Sequence, residues 1–145
     1  MLIRPLEERD TAAIASIEKE TFGDHAWSQN LFLEEIQDTT KHYFVALCDG
    51  GALCGYGGFA HIMDEAHIMN IAIDRAYRKL GFGRALLKTL LEEAKSLGVR
   101  AVTLEVRENN AAARALYESE GFVLAGIRKD YYGLHAHALI YWLTF

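Results

Sequence analysis

An α/β fold with a mixed central sheet of about seven strands and about four helices is predicted by three features of the chain. Two apolar runs, Tyr43–Cys48 and Ala52–Ile62, flank Asp49-Gly50-Gly51, a hairpin signal that puts antiparallel strands early. A strand, a loop with two glycines and a leucine-rich helix follow between Met69 and Leu97, and another strand at Ala101–Val106 completes a crossover unit in the middle. The 145 residues are 51% hydrophobic and 24% charged, which suits one folded domain over residues 1–145 with a core of its own.

The elements justify themselves in order. Leu2–Pro5 reads as a first strand. Asp10 is placed to cap a helix running to about Thr21, with Ile14, Ile17 and Thr21 at helical spacing. Phe22–Trp27 is a loop, and Ser28 caps a second helix through about Gln37. After the hairpin, Asp64-Glu65 turns the chain into a third long strand, Ala66–Ile73. The helix beginning near Gly81 buries Leu86, Leu87, Leu90, Leu91, Ala94 and Leu97, and Gly98 ends it as a left-handed cap. Asn110 opens a fourth helix that ends at Gly121 in the same way. Phe122–Ile127 and His137–Phe145 are the last strands.

Composition excludes several functions. A net charge of −5 argues against direct nucleic-acid binding, which needs a broad basic face. No apolar run approaches the ~18–20 residues of a membrane span. Met1-Leu2-Ile3-Arg4-Pro5 lacks the pattern of a signal peptide, so a cytoplasmic chain is expected. The two cysteines, Cys48 and Cys54, are expected as small unpaired thiols. His135 and His137 would face the same side of a strand, but no third ligand has sensible spacing, and no metal is expected.

The chemistry starts at Arg78-Lys79-Leu80-Gly81-Phe82-Gly83-Arg84. A strand feeding a glycine loop at a helix start offers unpaired N–H groups and a favourable dipole to an anion, and the basic side chains add charge. The phosphate loop of nucleotide hydrolases needs four residues between its glycines and then Lys-Ser/Thr, which are absent. The dinucleotide fingerprint needs a third glycine where Leu86 stands. What remains, Arg-x-x-Gly-x-Gly, resembles the acetyl-CoA-binding motif of the GNAT superfamily of N-acetyltransferases.

Two further segments hold candidate reactive groups. Alternation in Ala101–Val106 puts Val102, Leu104 and Val106 on one face and Thr103 and Glu105 on the other. Glu105 then lies near the carboxyl end of a central strand, where ligands gather in open α/β sheets, and can accept a proton from an amine attacking a thioester. Asn110 can cap its helix and bond a ligand amide, Ala111-Ala112-Ala113 leave room for a slender group, and Tyr117 can protonate a departing thiolate.

Together, Ile71-Ala72-Ile73-Asp74, the glycine loop, Leu104-Glu105-Val106-Arg107, Asn109–Ala113 and Leu116-Tyr117-Glu118-x-x-Gly121-Phe122 stand in the order and spacing of the RimI-type ribosomal-protein alanine N-acetyltransferases. Arg128-x-x-Tyr131-Tyr132 and Ala26-Trp27-Ser28 extend the likeness to nearly the whole chain. The resemblance implies acetyl-CoA held between splayed strands ending at Ile73 and near Glu105. Ile71, Ala72 and Ile73 would pair with its pantetheine, and Lys79, Leu80, Gly81, Phe82, Gly83 and Arg84 would cradle its pyrophosphate. It further implies Glu105 as proton acceptor, Tyr117 as proton donor and Asn110 as a cosubstrate contact. Trp27, Tyr131 and Tyr132 would line a groove for a ribosomal-protein N-terminus, and a tRNA-modification protein is an implied partner.

Ala26, Leu80 and His137 depart from the family pattern. An α-amine of pKa ~7.7–8.0 costs about 1 kcal/mol to deprotonate at pH 7, against about 4–5 kcal/mol for a lysine, which favours an N-terminal acceptor for one glutamate. Small-molecule amines and protein lysines stay as the alternative acceptors.

Overall fold

The computed structural model describes residues 1–145. Its strands are β1 (Leu2–Pro5), β2 (Lys41–Leu47), β3 (Leu53–Ile62), β4 (Glu65–Ile73), β5 (Ala101–Arg107), β6 (Val123–Arg128) and β7 (Ala138–Thr144). The helices are α1 (Thr11–Phe22), α2 (Gln29–Glu35), α3 (Phe82–Ser96) and α4 (Ala111–Ser119). One seven-stranded sheet has the order β1-β2-β3-β4-β5-β7-β6, with every pairing antiparallel except β4 on β5.

Alternation along the strands divides the core between the two faces of the sheet. Val45, Tyr56 and Ala72 meet Ile14, Ile17 and Phe32 of α1 and α2. On the opposite face Phe59, Ile68, Val102 and Leu104 pack against Leu87, Leu90 and Ala94 of α3. Of the predicted stripe, Leu86, Leu87, Leu90 and Ala94 are buried and Leu91 is half-buried, while Leu97, past the end of the helix, is exposed; Gly98 (φ 80°) and Gly121 (φ 97°) end α3 and α4 in the left-handed region as expected. Ser28 and Asn110 cap α2 and α4, accepting from the Leu31 and Ala113 N–H groups at 3.2 Å each.

Three local expectations are corrected. Asp10 does not cap α1. Its own backbone is already helical (φ −88°, ψ −13°), so the carboxylate lies beside the helix start, where Arg4 grips it at 2.7 and 2.9 Å and the Glu7 N–H donates at 2.8 Å. Those hydrogen bonds, Arg4 first, hold the buried Asp10 carboxyl below its usual range. The second helix stops at Glu35, short of Gln37, because the Gln37 and Asp38 N–H groups turn to carbonyls three residues back. His135 and His137 precede β7 and share no strand face. His137 Nδ1 accepts the Asp130 N–H at 2.9 Å instead.

At Gly58 on β3 the aromatic ring of Tyr43 fills the place of a side chain. A β-carbon there would clash with the Tyr43 ring, and Tyr43 is itself buried. Gly58→Ala should therefore destabilise the fold by about 3 kcal/mol through overpacking. A denaturant midpoint equal to that of the parent would show that the ring can move aside.

The feature that positions the site is where β4 and β5 part. They pair only at Glu65↔Ala101, Ala66↔Val102 and His67↔Thr103. Beyond that, the pairing of β4 with β3 slips by one residue, from Phe59↔Ile68 to Gly58↔Asn70, leaving Met69 as a bulge that bends β4. β5 stays on β7 along its whole length. The two strands diverge, and the edge of β4 from Ile68 to Ile73 faces open space.

Candidate active site

A cleft of about 350 Å³ occupies the fork between β4 and β5. Ile68, Met69, Asn70 and Ile71 line one side, and Leu104, Glu105, Val106 and Arg107 the other. Glu18 and Phe22 of α1, His25 and Trp27 close one end. Asn110, Ala113 and Tyr117 of α4 and Tyr132 complete the wall. Expected residues from five separate stretches thus converge: Trp27, Ile71, Glu105, Asn110 with Tyr117, and Tyr132.

Glu105 leans into this cleft from a strand whose alternate residues, Val102, Leu104 and Val106, are buried. Its side chain is 15% exposed, and Arg128 Nε reaches Oε1 at 3.2 Å. Hydrogen bonding to the same carboxylate raises the Tyr131 phenol above its usual pKa. Tyr131 itself does not line the cleft. It is exposed, stacked edge-on against Tyr132 at 5.0 Å, and steadies Glu105 and Tyr132 from outside. Arg107 sits over the Tyr132 ring at 4.2 Å and fixes that wall by a cation–π contact.

Tyr117 lies between Phe122 (5.7 Å) and Tyr141 (6.5 Å), where burial, helped by Tyr132, pushes its phenol up to about 12. Its hydroxyl makes no hydrogen bond within the chain, so the proton is free for something in the cleft.

The glycine loop lies beyond the open edge of β4. Lys79 (φ 63°) and Gly81 (φ 88°) adopt left-handed backbone, and no N–H from Lys79 through Arg84 donates to a carbonyl or side chain. Six consecutive free donors at the start of α3 form an anion nest. The cationic side chains are less available than the sequence suggests. Arg84 is held by Glu120 at 2.6 Å and Ser119 at 3.0 Å, and Arg78 Nε donates to the Ile73 carbonyl at 3.1 Å. Lys79 alone of the three forms no ion pair or side-chain hydrogen bond. Ala72 is buried in the core, whereas Ile71 and Ile73 are half-buried.

Residues 11–122 match the model of the acetyltransferase (GNAT) family. The chain belongs to that family. It is 39% identical over 132 residues to the ribosomal protein bS18-alanine N-acetyltransferase of Escherichia coli (strain K12), covering 90% of this chain and 86% of that one. The N-alpha-acetyltransferase RimI of Mycobacterium tuberculosis is 39% identical over 135 residues, covering 90% and 83%. Among solved structures, the Escherichia coli ribosomal-protein-S18-alanine N-acetyltransferase superposes with a TM-score of 0.87 at 37% identity, covering 99% and 92%. The protein is accordingly an acetyltransferase of the GNAT fold, and within the family it stands with the ribosomal-protein-alanine N-acetyltransferases.

The cleft of this GNAT protein also contains groups that the sequence reading passes over. Glu18, on α1, is 2% exposed; its Oε1 accepts from the Trp27 N–H and Asn70 Nδ2 at 3.4 Å each, and its Oε2 has no partner. Burial pushes it up to about 7. A signal was present: Glu18 follows Ile14 by four residues and sits on the apolar stripe with Ile17 and Thr21, where a carboxylate is out of place. Asn70 and Arg107 carry no such signal, because only the bend in β4 and the end of β5 bring them together. No group of three or more His, Cys, Asp or Glu side chains is arranged to hold a metal, and no helix is long and apolar enough to cross a membrane.

Proposed function

We propose that residues 1–145, acting as one domain, transfer the acetyl group of acetyl-CoA directly to the α-amine of a ribosomal protein that begins with alanine. The observation that carries this reading is the fork between β4 and β5, with Glu105 and Tyr117 in one cleft and the anion nest beyond its open strand edge. When bound, acetyl-CoA supplies the activated acetyl thioester. The edge of Ile71, Ala72 and Ile73 takes the amide-bearing arm as an added strand. The free N–H groups from Lys79 to Arg84, with Lys79 itself, hold the pyrophosphate, and Arg78 and Arg84 stiffen the loop around it. Asn110 both caps α4 and reaches the arm.

Glu105 takes the proton that the α-amine sheds as its nitrogen bonds to the acetyl carbon. Tyr117 gives its phenolic proton to the sulfur as the carbon–sulfur bond breaks. Trp27 and Tyr132 hold the acceptor's first residues, and Tyr131 acts behind them. Direct transfer is supported by the place of the cysteines: Cys48 and Cys54 sit on the β2–β3 hairpin, away from the cleft.

The test is thiol release from acetyl-CoA with a peptide beginning Ala-Arg-Tyr-Phe, beside an N-terminally blocked lysine peptide and beside spermidine. Turnover confined to the free-amine peptide is the expected result. Turnover with spermidine or the blocked peptide alone would move the acceptor to small amines or lysines.

A further inference from the structure

Glu18 is a buried carboxylate in the acceptor end of the cleft for which the chemistry above has no use. Its neighbours do not neutralise it. Two N–H donors approach Oε1 at 3.4 Å, near the limit of a hydrogen bond, and the buried Oε2 has no hydrogen-bond partner. No lysine or arginine forms an ion pair with it, whereas Glu105 across the cleft is already engaged by Arg128. Burying a carboxylate without a countercharge is expensive, and burial already pushes Glu18 up to about 7, so a cation entering the cleft would restore its ionised form.

We propose that Glu18 binds the acceptor's α-ammonium group as it enters the cleft, and so selects a free, positively charged chain end over a neutral or blocked one. The inference rests on the reading of an amine acceptor. The geometry suits it. Glu18 ties Trp27 on the acceptor wall to Asn70 at the bend of β4, so its carboxylate lies where that wall meets the open strand edge. The other charged or titratable groups of the cleft are His25, Glu105, Arg107, Tyr117 and Tyr132. Of these, Arg107 is committed to the Tyr132 ring, and Glu105 is the one other carboxylate. Glu18 thereby holds the ammonium in the ground state; the ammonium loses one proton to solvent before its nitrogen can attack, and Glu105 takes the second as the nitrogen bonds to the acetyl carbon. Glu18 is a specificity residue, and its loss should weaken capture more than chemistry.

The experiment compares two probes on the wild type loaded with CoA, which has no acetyl group to give. One is the Ala-Arg-Tyr-Phe peptide. The other is its des-amino twin, in which propionyl replaces alanine and only the ammonium is missing. By calorimetry at pH 7.5, wild type should bind the amine at least tenfold more tightly. Glu18→Gln, which keeps shape and size, should reduce that preference to less than twofold. Its KM for the Ala peptide should rise about tenfold, with kcat within threefold and the KM for acetyl-CoA unchanged. Glu18→Asp, which retains the charge, should recover part of the preference and stands in if the glutamine variant does not fold. A wild type with no preference, or a glutamine variant that keeps all of it, overturns the proposal. A wild type that acetylates spermidine but no N-terminal peptide overturns the acceptor reading, and this proposal with it.

Discussion

Glu105→Gln should lower kcat on an Ala-starting peptide by about two to three orders of magnitude and leave the KM for acetyl-CoA unchanged, as expected for loss of a positioned general base. The substitution keeps the side chain's length and can still pair with Tyr131, so packing is preserved while the proton acceptor is removed. The α-amine then has to lose its proton to bulk water before attack. With an amine of pKa ~7.7–8.0, the residual rate of the variant should climb with pH to about 8 and then level off. Kinetics from pH 6 to 9.5 measure both effects. A variant within twofold of wild type at every pH would remove Glu105 from the mechanism and make Glu18, the second carboxylate of the cleft, the base to test.

Tyr117→Phe should lower kcat by about 100-fold, because the departing thiolate loses its proton source in a buried setting. The pH dependence identifies the group. The folded protein holds the Tyr117 phenol at about 12, above the ~10 of an unfolded chain, so the neutral, proton-bearing form is the one the fold favours. The stability linked to this group is complete below about pH 10 and is lost as pH rises from there through about 12. The ratio of wild-type to variant rates should therefore stay constant from pH 7 to 10. A ratio that falls toward one above pH 9 would mean that Tyr117 titrates like an ordinary tyrosine and that burial does not protect its proton. A ratio near one throughout would remove it as the donor.

The sequence by itself determined the element order, the early antiparallel hairpin and the crossover unit in the middle of the chain. Each depends on neighbours in the chain: the Asp49-Gly50-Gly51 turn, the leucine spacing after Gly81, the alternation from Ala101 to Val106, and the caps at Ser28 and Asn110. Local chemistry suffices for these, because turns, caps and periodicity act over a few residues. It failed at Asp10, where a long-range partner, Arg4, competes for the carboxylate that local rules assign to a helix cap. It also gave Arg84 to the loop's positive charge, although Glu120 pairs with it.

What the residues do not spell out by themselves is the cleft, which the sequence offers only through family resemblance. The Met69 bulge separates β4 from β5, and that divergence has no signature in residues 65–73 alone. Trp27, Asn70, Glu105 and Tyr117 become neighbours only once α1, β4, β5 and α4 have closed around the fork. Glu18 shows the reason most directly. In sequence it is one charged residue on an apolar helix stripe. Its meaning is set by what surrounds it, and a buried carboxylate with one unpartnered oxygen cannot be recognised until every element that might have paired with it is in place.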